Sequence, residues 1–127
     1  MPRYFTPLEA NQTLQILLPL MEEVLRIRAD IVARRPDLWP AIQKSVGNGG
    51  NAELSRLFLN FDRLDKLVHR IQDLGIHIKD INTGLMDFPA LHEGREVYLC
   101  WRYGEPHVEY WHDIEAGFAG RRPIDWE

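Results

Sequence analysis

The residues of this chain that could do chemistry are concentrated in its last third. Residues 84–122 contain the only cysteine, three of the five histidines and three of the four tyrosines. Thiolate, imidazole and carboxylate groups suit zinc or another transition ion, although no HExxH or CxxC spacing is present. The alternative is a small buried cysteine and a histidine paired with a carboxylate. The predicted metal ligands are Cys100, His107, Glu109 and His112, with His92 and Asp113 within reach.

The same stretch also fits acid–base chemistry centred on His112. A carboxylate beside a histidine in a partly buried aromatic pocket acquires a pKa useful for proton transfer, but structural pairs shift pKa values too. A nucleophilic Cys100 would need a cationic neighbour that the sequence does not place. Whether the protein is an enzyme therefore stays open. The carboxylates available to His112 are Asp87, Glu105, Glu109 and Asp113.

A third interpretation is anion binding by the arginines of this region. Paired guanidinium groups grip carboxylates and phosphates well, but no Gly-rich phosphate loop is present, and surface ion pairing is the alternative. The arginines concerned are Arg95, Arg102, Arg121 and Arg122. The residues predicted to bind a partner or ligand, on an aromatic sheet face, are Asp87, Trp101, Arg102, Glu105, Trp111, His112, Asp113 and Arg121.

Composition limits the class of protein. A chain of 127 residues predicts one domain, and a net charge of -4 argues against a general nucleic-acid binder. One cysteine and the absence of a basic-then-apolar N-terminal signal favour a reducing, cytoplasmic location. The apolar run Ile16–Met21 contains Pro19 and is far short of the ~20 residues that cross a bilayer, so no membrane partner is expected.

Two amphipathic helices, predicted at 6–35 and 53–74, precede this stretch and would support it. The first begins with a capping box from Thr6 to Glu9, and Pro19 predicts a kink or a break in it. Residues 36–52 are predicted to be a flexible connector. The apolar stripe of the second helix is wide enough for two partners, which favours a homodimer formed through the helices.

After Gly75 the apolar period changes to two, which predicts an antiparallel meander over 76–113 and an irregular tail over 114–127. Three to four strands are expected, one of them ended by Pro89. The last hairpin is placed around Gly104-Glu105, and a two-residue turn there would set Cys100 opposite Glu109. The fold class predicted is therefore α+β, a long helical hairpin followed by a small antiparallel sheet.

The late motifs resemble a known family. The pattern GxxxKDxxxGLxDFPA begins at Gly75, and it is followed by LCWR at 99–102, WHD at 111–113 and GFAGR at 117–121. The chain resembles the prokaryotic family of uncharacterised proteins called domain of unknown function 2203. The resemblance implies a small cytoplasmic protein without an established activity. It supplies no catalytic residues.

Two functions are therefore predicted. The first is a self-associating interaction or ligand-binding module, with an unknown protein or small molecule on the aromatic sheet face. The alternative is a metal-binding protein or small enzyme that uses a transition ion such as zinc, and no other cofactor is implied. The neighbourhood of this alternative is Asp87, Cys100, Glu105, His107, Glu109 and His112.

Overall fold

A computed structural model describes residues 3–47 and 59–127 of the chain. The described helices are α1 (Pro7–Arg34), α2 (Trp39–Ser45) and α3 (Leu59–Asp73). The short α2 lies within the predicted connector. Residues 48–52 of that connector and residues 53–58 of the predicted second helix lie outside the described residues.

Helix α1 begins where the sequence predicts. The Thr6 hydroxyl accepts the Glu9 N–H at 3.1 Å, and the Glu9 carboxylate accepts the Thr6 N–H at 2.9 Å, which satisfies two otherwise free donors. The helix continues through Pro19, so of the two outcomes predicted there the break is wrong, and the kink stays a prediction. Pro19 is exposed, while Leu17 and Leu20 on either side are buried. Packing of the flanking turns holds the helix together despite the lost hydrogen bond.

The described apolar face of α3 is covered within the chain. Phe61, Leu64 and Ile71 are each 0 % exposed and belong to one core with α1 and the sheet. The predicted homodimer stays a prediction, which the mass of the protein in solution tests. Among the described helices, none combines the length and apolar character that crossing a bilayer requires.

The sheet has five antiparallel strands in sequential order, which confirms the α+β class but not the predicted strand number. The tail predicted to be irregular forms a 3-10 turn at Phe118–Gly120 and then the fifth strand. That strand is only two residues long and exposed, so it shows no apolar alternation. The strands are β1 (His77–Asp80), β2 (Leu85–His92), β3 (Arg95–Arg102), β4 (Tyr110–Asp113) and β5 (Arg122–Pro123).

One face of the sheet completes the core with the helices. Met86, Phe88, Leu99 and Trp101 on this inner face are 0 % exposed. Directly paired residues of neighbouring strands share a face, and Leu99 pairs with Trp111. The other side of the sheet, the outer face, therefore carries the residues that alternate with these.

Strand β2 continues through Pro89, where the sequence predicts its end. The Pro89 carbonyl accepts the N–H of Phe5 at 2.7 Å, so this side of Pro89 faces the N-terminal segment rather than β3. The proline nitrogen points the same way, because the N and O of one strand residue share a side. Its missing N–H therefore removes no hydrogen bond from the β2–β3 ladder.

The last hairpin is displaced by one residue from the predicted register. Tyr98 pairs with His112, and Cys100 pairs with Tyr110 rather than with Glu109. Residues 103–109 form a longer loop, which side chains of other elements hold. The Asn11 amide accepts the Val108 N–H at 2.8 Å and donates to the Val108 carbonyl at 3.2 Å. A shift of one residue moves the side chains of a strand to the opposite face of the sheet. His112 therefore lies on the same face as Cys100.

Candidate metal centre

Three chemically active side chains meet on the outer face of the sheet. They are Asp87 on β2, Cys100 on β3 and His112 on β4, and their ligand atoms all lie within 4.8 Å of one another. Asp87 pairs directly with Cys100, and His112 lies one diagonal step away, beside Tyr98. Asp87 and His112 are each 2 % exposed, and Cys100 is 0 % exposed. We call this group the cluster.

Both ring nitrogens of His112 have defined partners. Nδ1 lies 2.7 Å from the carbonyl oxygen of Asp113, and Nε2 lies 3.0 Å from Oδ1 of Asp87. A carbonyl oxygen can only accept, so Nδ1 carries a hydrogen and donates it. Nε2 is then the nitrogen that faces the cluster. A hydrogen bond between Nε2 and Oδ1 needs a hydrogen on one of these two atoms.

Cys100 is a protonated thiol at neutral pH. Burial raises the pKa of this thiol to about 12, and the negative charge of Asp87 adds to the effect, whereas Arg121 opposes it. The thiol also donates a hydrogen bond to Asp87, which favours the protonated form. Only the thiolate is a strong nucleophile, so the nucleophilic interpretation of Cys100 is not supported.

An ion pair lies next to Cys100. The Nη2 atom of Arg121 donates to both carboxylate oxygens of Glu105, at 2.8 and 2.6 Å. Glu105 also accepts the backbone N–H of Arg102 at 2.6 Å. The Arg121 guanidinium carbon lies 4.1 Å from the ring centroid of Tyr110, the register partner of Cys100. Two residues from the predicted binding set, Glu105 and Arg121, thus border the cluster as partners of each other.

A second ion-pair group fixes the far end of β4. The Asp113 carboxylate binds Arg95 at 3.0 Å and Arg122 at 2.7 Å. The backbone carbonyl of the same residue receives the Nδ1–H of His112. Asp113 therefore orients the imidazole with its backbone, while its side chain is held by two arginines. These arginines are occupied by a carboxylate of the protein, which favours the ion-pairing interpretation over a free anion site.

A groove with a volume of about 630 Å³ adjoins the cluster. Tyr98 lines it, and its ring centroid lies 5.6 Å from that of His112 and 5.5 Å from that of His77. Polar and apolar side chains share the lining, with Arg3, Asp73 and Ile114 among them. The groove has the size of a small-molecule site, and one aromatic ring separates it from the cluster.

The structure separates several residues that the sequence groups together. His107 and Glu109 are exposed and do not belong to the cluster, so two of the four predicted metal ligands lie elsewhere. Trp101 and Trp111 are 0 % and 6 % exposed, so these two residues of the predicted binding set belong to the core. His92 stacks on Trp126 with centroids 4.3 Å apart.

Asp87 completes the cluster, although the sequence did not place it among the metal ligands. The signal was present, since Asp87 alternates with Met86 and Phe88 and must point away from the core. The sequence alone did not give the strand register that places Asp87 opposite Cys100. Acid–base chemistry on a substrate would need access to the Asp87–His112 pair, and that pair is buried.

The fold and the cluster describe a small α+β protein with buried carboxylate, thiol and imidazole groups on one sheet face. The model of a family of uncharacterised conserved proteins, DUF2203, matches residues 3–124, so the chain belongs to this family. The resemblance of the late motifs is thereby confirmed. No curated protein and no solved structure matches the chain. Prokaryotic origin and cytoplasmic location stay predictions.

Proposed function

We propose that the protein binds a divalent transition-metal ion of the zinc type through Asp87, Cys100 and His112. The observation that carries the proposal is the convergence of one oxygen, one sulfur and one nitrogen donor within 4.8 Å. In a tetrahedral zinc site the donor atoms are about 2.0–2.3 Å from the ion and therefore roughly 3.5 Å from each other. Small side-chain movements would meet this requirement.

The orientation of His112 supports binding through Nε2. Ligating histidines usually donate their other N–H to a carbonyl or carboxylate, which fixes the tautomer and the ring plane. Here Nδ1 donates to the Asp113 carbonyl at 2.7 Å. The imidazole is therefore held in the form that a metal ion requires before any ion arrives.

Charge balance supports a divalent ion. Without a metal Cys100 keeps its proton, and it would lose that proton on binding as a thiolate. A divalent ion bound to carboxylate, thiolate and neutral imidazole gives zero net charge, so no uncompensated charge is left in a buried place. Three protein donors also leave a fourth tetrahedral position for water or another ligand.

Titration of the untagged, chelator-treated protein with cobalt(II) tests the proposal. One equivalent should bind and give the near-ultraviolet charge-transfer absorption of a cobalt–thiolate bond. At least one proton per ion, that of Cys100, should be released in weakly buffered solution at neutral pH. Cys100→Ser should abolish the charge-transfer band, and His112→Ala should abolish tight binding. Elemental analysis of natively purified protein shows which ion it carries from the cell.

His107→Ala is the matched control, because it removes an exposed histidine outside the cluster. It should bind cobalt as the natural sequence does. The proposal fails if the natural sequence binds no ion specifically. It fails equally if His107→Ala weakens binding as much as His112→Ala does.

The groove beside Tyr98 favours a second function, the binding of a small polar molecule. Its volume of about 630 Å³ is within the usual range of ligand sites. The side chains of His77 and Tyr98, which line the groove, have no hydrogen-bond partner among the described residues, so the imidazole and the hydroxyl are available to a ligand. A screen of small metabolites by NMR should show ligands that shift signals of both residues. Ligands that bind only elsewhere, or no ligands at all, would contradict this function.

A further inference from the structure

The C-terminal segment of residues 117–124, which we call the strap, reaches the cluster through Arg121, whose guanidinium packs on the Tyr110 ring and whose charge acts on the Cys100 thiol. We infer that the strap is a removable cover that controls access to Cys100 and, on the proposed function, the rate of metal exchange. The inference starts from the burial of the cluster, whose members are 0–2 % exposed. An ion or reagent can reach it only after part of the surrounding structure moves.

The strap is bound to the sheet along β4. Tyr110 pairs with Pro123 and Trp111 with Arg122, and the Ile124 N–H donates to the Glu109 carbonyl at 2.8 Å. These contacts place the strap beside the strand that carries His112. They comprise few backbone hydrogen bonds, because β5 is only two residues long.

Arg121 makes the side-chain contacts that hold the strap against the sheet. Its side chain is 12 % exposed and binds Glu105, which is 23 % exposed. Its guanidinium carbon lies 4.1 Å from the Tyr110 ring centroid and 4.6 Å from that of Phe118. Its Nε atom is buried without a hydrogen-bond partner among the described residues. This geometry lays the guanidinium over the outer face of the sheet, next to Cys100.

Apart from Arg121, the strap is only partly buried, with Ile124 packed against the core. No residue from 114 to 127 is buried, and Phe118 is 41 % exposed. Segments with few buried apolar contacts open locally at lower free energy than the core. The Arg121–Glu105 pair, by contrast, is largely screened from water, and loss of one partner leaves a charge poorly compensated. The strap's other ion pair, between Arg122 and Asp113, is more exposed, at 55 % and 36 %, so the Arg121–Glu105 pair is the contact whose loss should favour opening most.

Reactivity of the Cys100 thiol in the metal-free protein measures this opening directly. An aromatic disulfide reagent forms a mixed disulfide with each exposed thiolate and releases one coloured thiolate. Cys100 is the only cysteine, so the signal has a single source. The natural sequence should react slowly. Glu105→Gln should react at least 10-fold faster, and Arg121→Lys, which keeps the charge but loses the planar fork, should react several-fold faster.

Arg63→Gln is the matched control, because it breaks an ion pair with Glu23 between two helices, far from the strap in the fold. It should leave the rate of the thiol reaction unchanged. Chemical denaturation of each variant separates local opening from global unfolding. If the rates of Glu105→Gln and Arg121→Lys equal that of Arg63→Gln, the strap is not the barrier. If the gain follows only the global unfolding constant, the inference fails as well.

Cobalt uptake by the same variants completes the test. Arg121→Lys should take up and release the ion several-fold faster, with nearly unchanged affinity, because all three donors remain. Equal exchange rates in Arg121→Lys and in the natural sequence would overturn the metal part of the inference. Absence of any cobalt binding would overturn the proposed function instead. The thiol result stands independently, because it is measured without metal.

Discussion

Asp87 and His112 meet across an intervening strand. Their Oδ1 and Nε2 atoms are 3.0 Å apart, although β2 and β4 are each paired with β3 and not with one another. Cys100 is the β3 residue beneath this contact, and its small side chain leaves the carboxylate and the imidazole room to approach. The contact links three strands through side chains as well as through backbone hydrogen bonds.

The Asp87–His112 pair makes His112→Ala strongly destabilising. The substitution leaves a carboxylate that is 3 % exposed without its partner, and breaking a buried pair in this way costs about 3–5 kcal/mol. Asp87→Asn keeps the volume, and its amide N–H can donate to Nε2 of the imidazole, so it should cost about 1–2 kcal/mol. Urea denaturation of the metal-free proteins measures both values. Equal losses for the two variants would show that the pairing of charges is not the source of stability.

The buried thiol of Cys100 makes stability fall at alkaline pH. The pKa of this thiol rises from a usual value of 9.0 to about 12 in the fold, so the unfolded chain loses the proton first. Its contribution is complete below about pH 9 and is lost as the pH rises towards 12. The free energy of unfolding should fall by about 1 kcal/mol per pH unit more in the natural sequence than in Cys100→Ala. Parallel pH profiles for the two proteins would contradict the prediction.

Gly84 is required for both its conformation and its close contact. Its φ is +71°, and a Cβ atom there would lie 2.6 Å from the Cβ of Tyr103. Gly94 has a similar φ of +76° but nothing within 4 Å of such an atom. Gly94→Ala should cost about 1 kcal/mol, from the left-handed backbone alone. Gly84→Ala should cost at least about 2 kcal/mol, and thermal denaturation of the pair isolates the steric part.

Asn11 fixes the loop before β4. Its amide accepts the N–H of Val108 at 2.8 Å and donates to the carbonyl of Val108 at 3.2 Å, and Val108 is 3 % exposed. Asn11→Ala leaves both backbone groups without a partner and should cost about 2 kcal/mol. Gln12→Ala, on the exposed side of the same helix turn, should change the unfolding free energy by less than about 0.5 kcal/mol. An equally small change in both variants would mean that the hydrogen bonds of Asn11 to Val108 do not stabilise the fold.

Much of the fold follows from local sequence signals. Three signals predict the elements that the structure contains. They are the capping box at Thr6, the apolar face of α3 with its steps of three and four, and the change to period two after Gly75. The fifth strand could not be predicted in this way. Arg122 and Pro123 are exposed, and they form a strand only because β4 offers a free edge.

The candidate site depended on one register that sequence alone does not determine. Cys100 and His112 were both identified, but a two-residue turn at Gly104-Glu105 places them on opposite faces. The actual loop is set by long-range contacts, notably the hydrogen bonds between Asn11 and Val108. Contacts over such a separation leave no periodic signal in the sequence. Trp101 was likewise assigned to a binding face because an aromatic side chain alone does not show which side is buried.

The hydrogen bond from Phe5 to Pro89 has a consequence for how molecules of this protein meet one another. On the edge of β2 opposite β3, the described part of β1 pairs only as far as Asp87, and beyond it Phe5 of the N-terminal segment donates to Pro89. An uncovered edge of this kind is a template for strands of other molecules. The proline, which offers no N–H, and the segment that caps its carbonyl together protect the edge. The segment before α1 therefore covers this part of the edge and leaves less of it open to edge-to-edge pairing with another sheet.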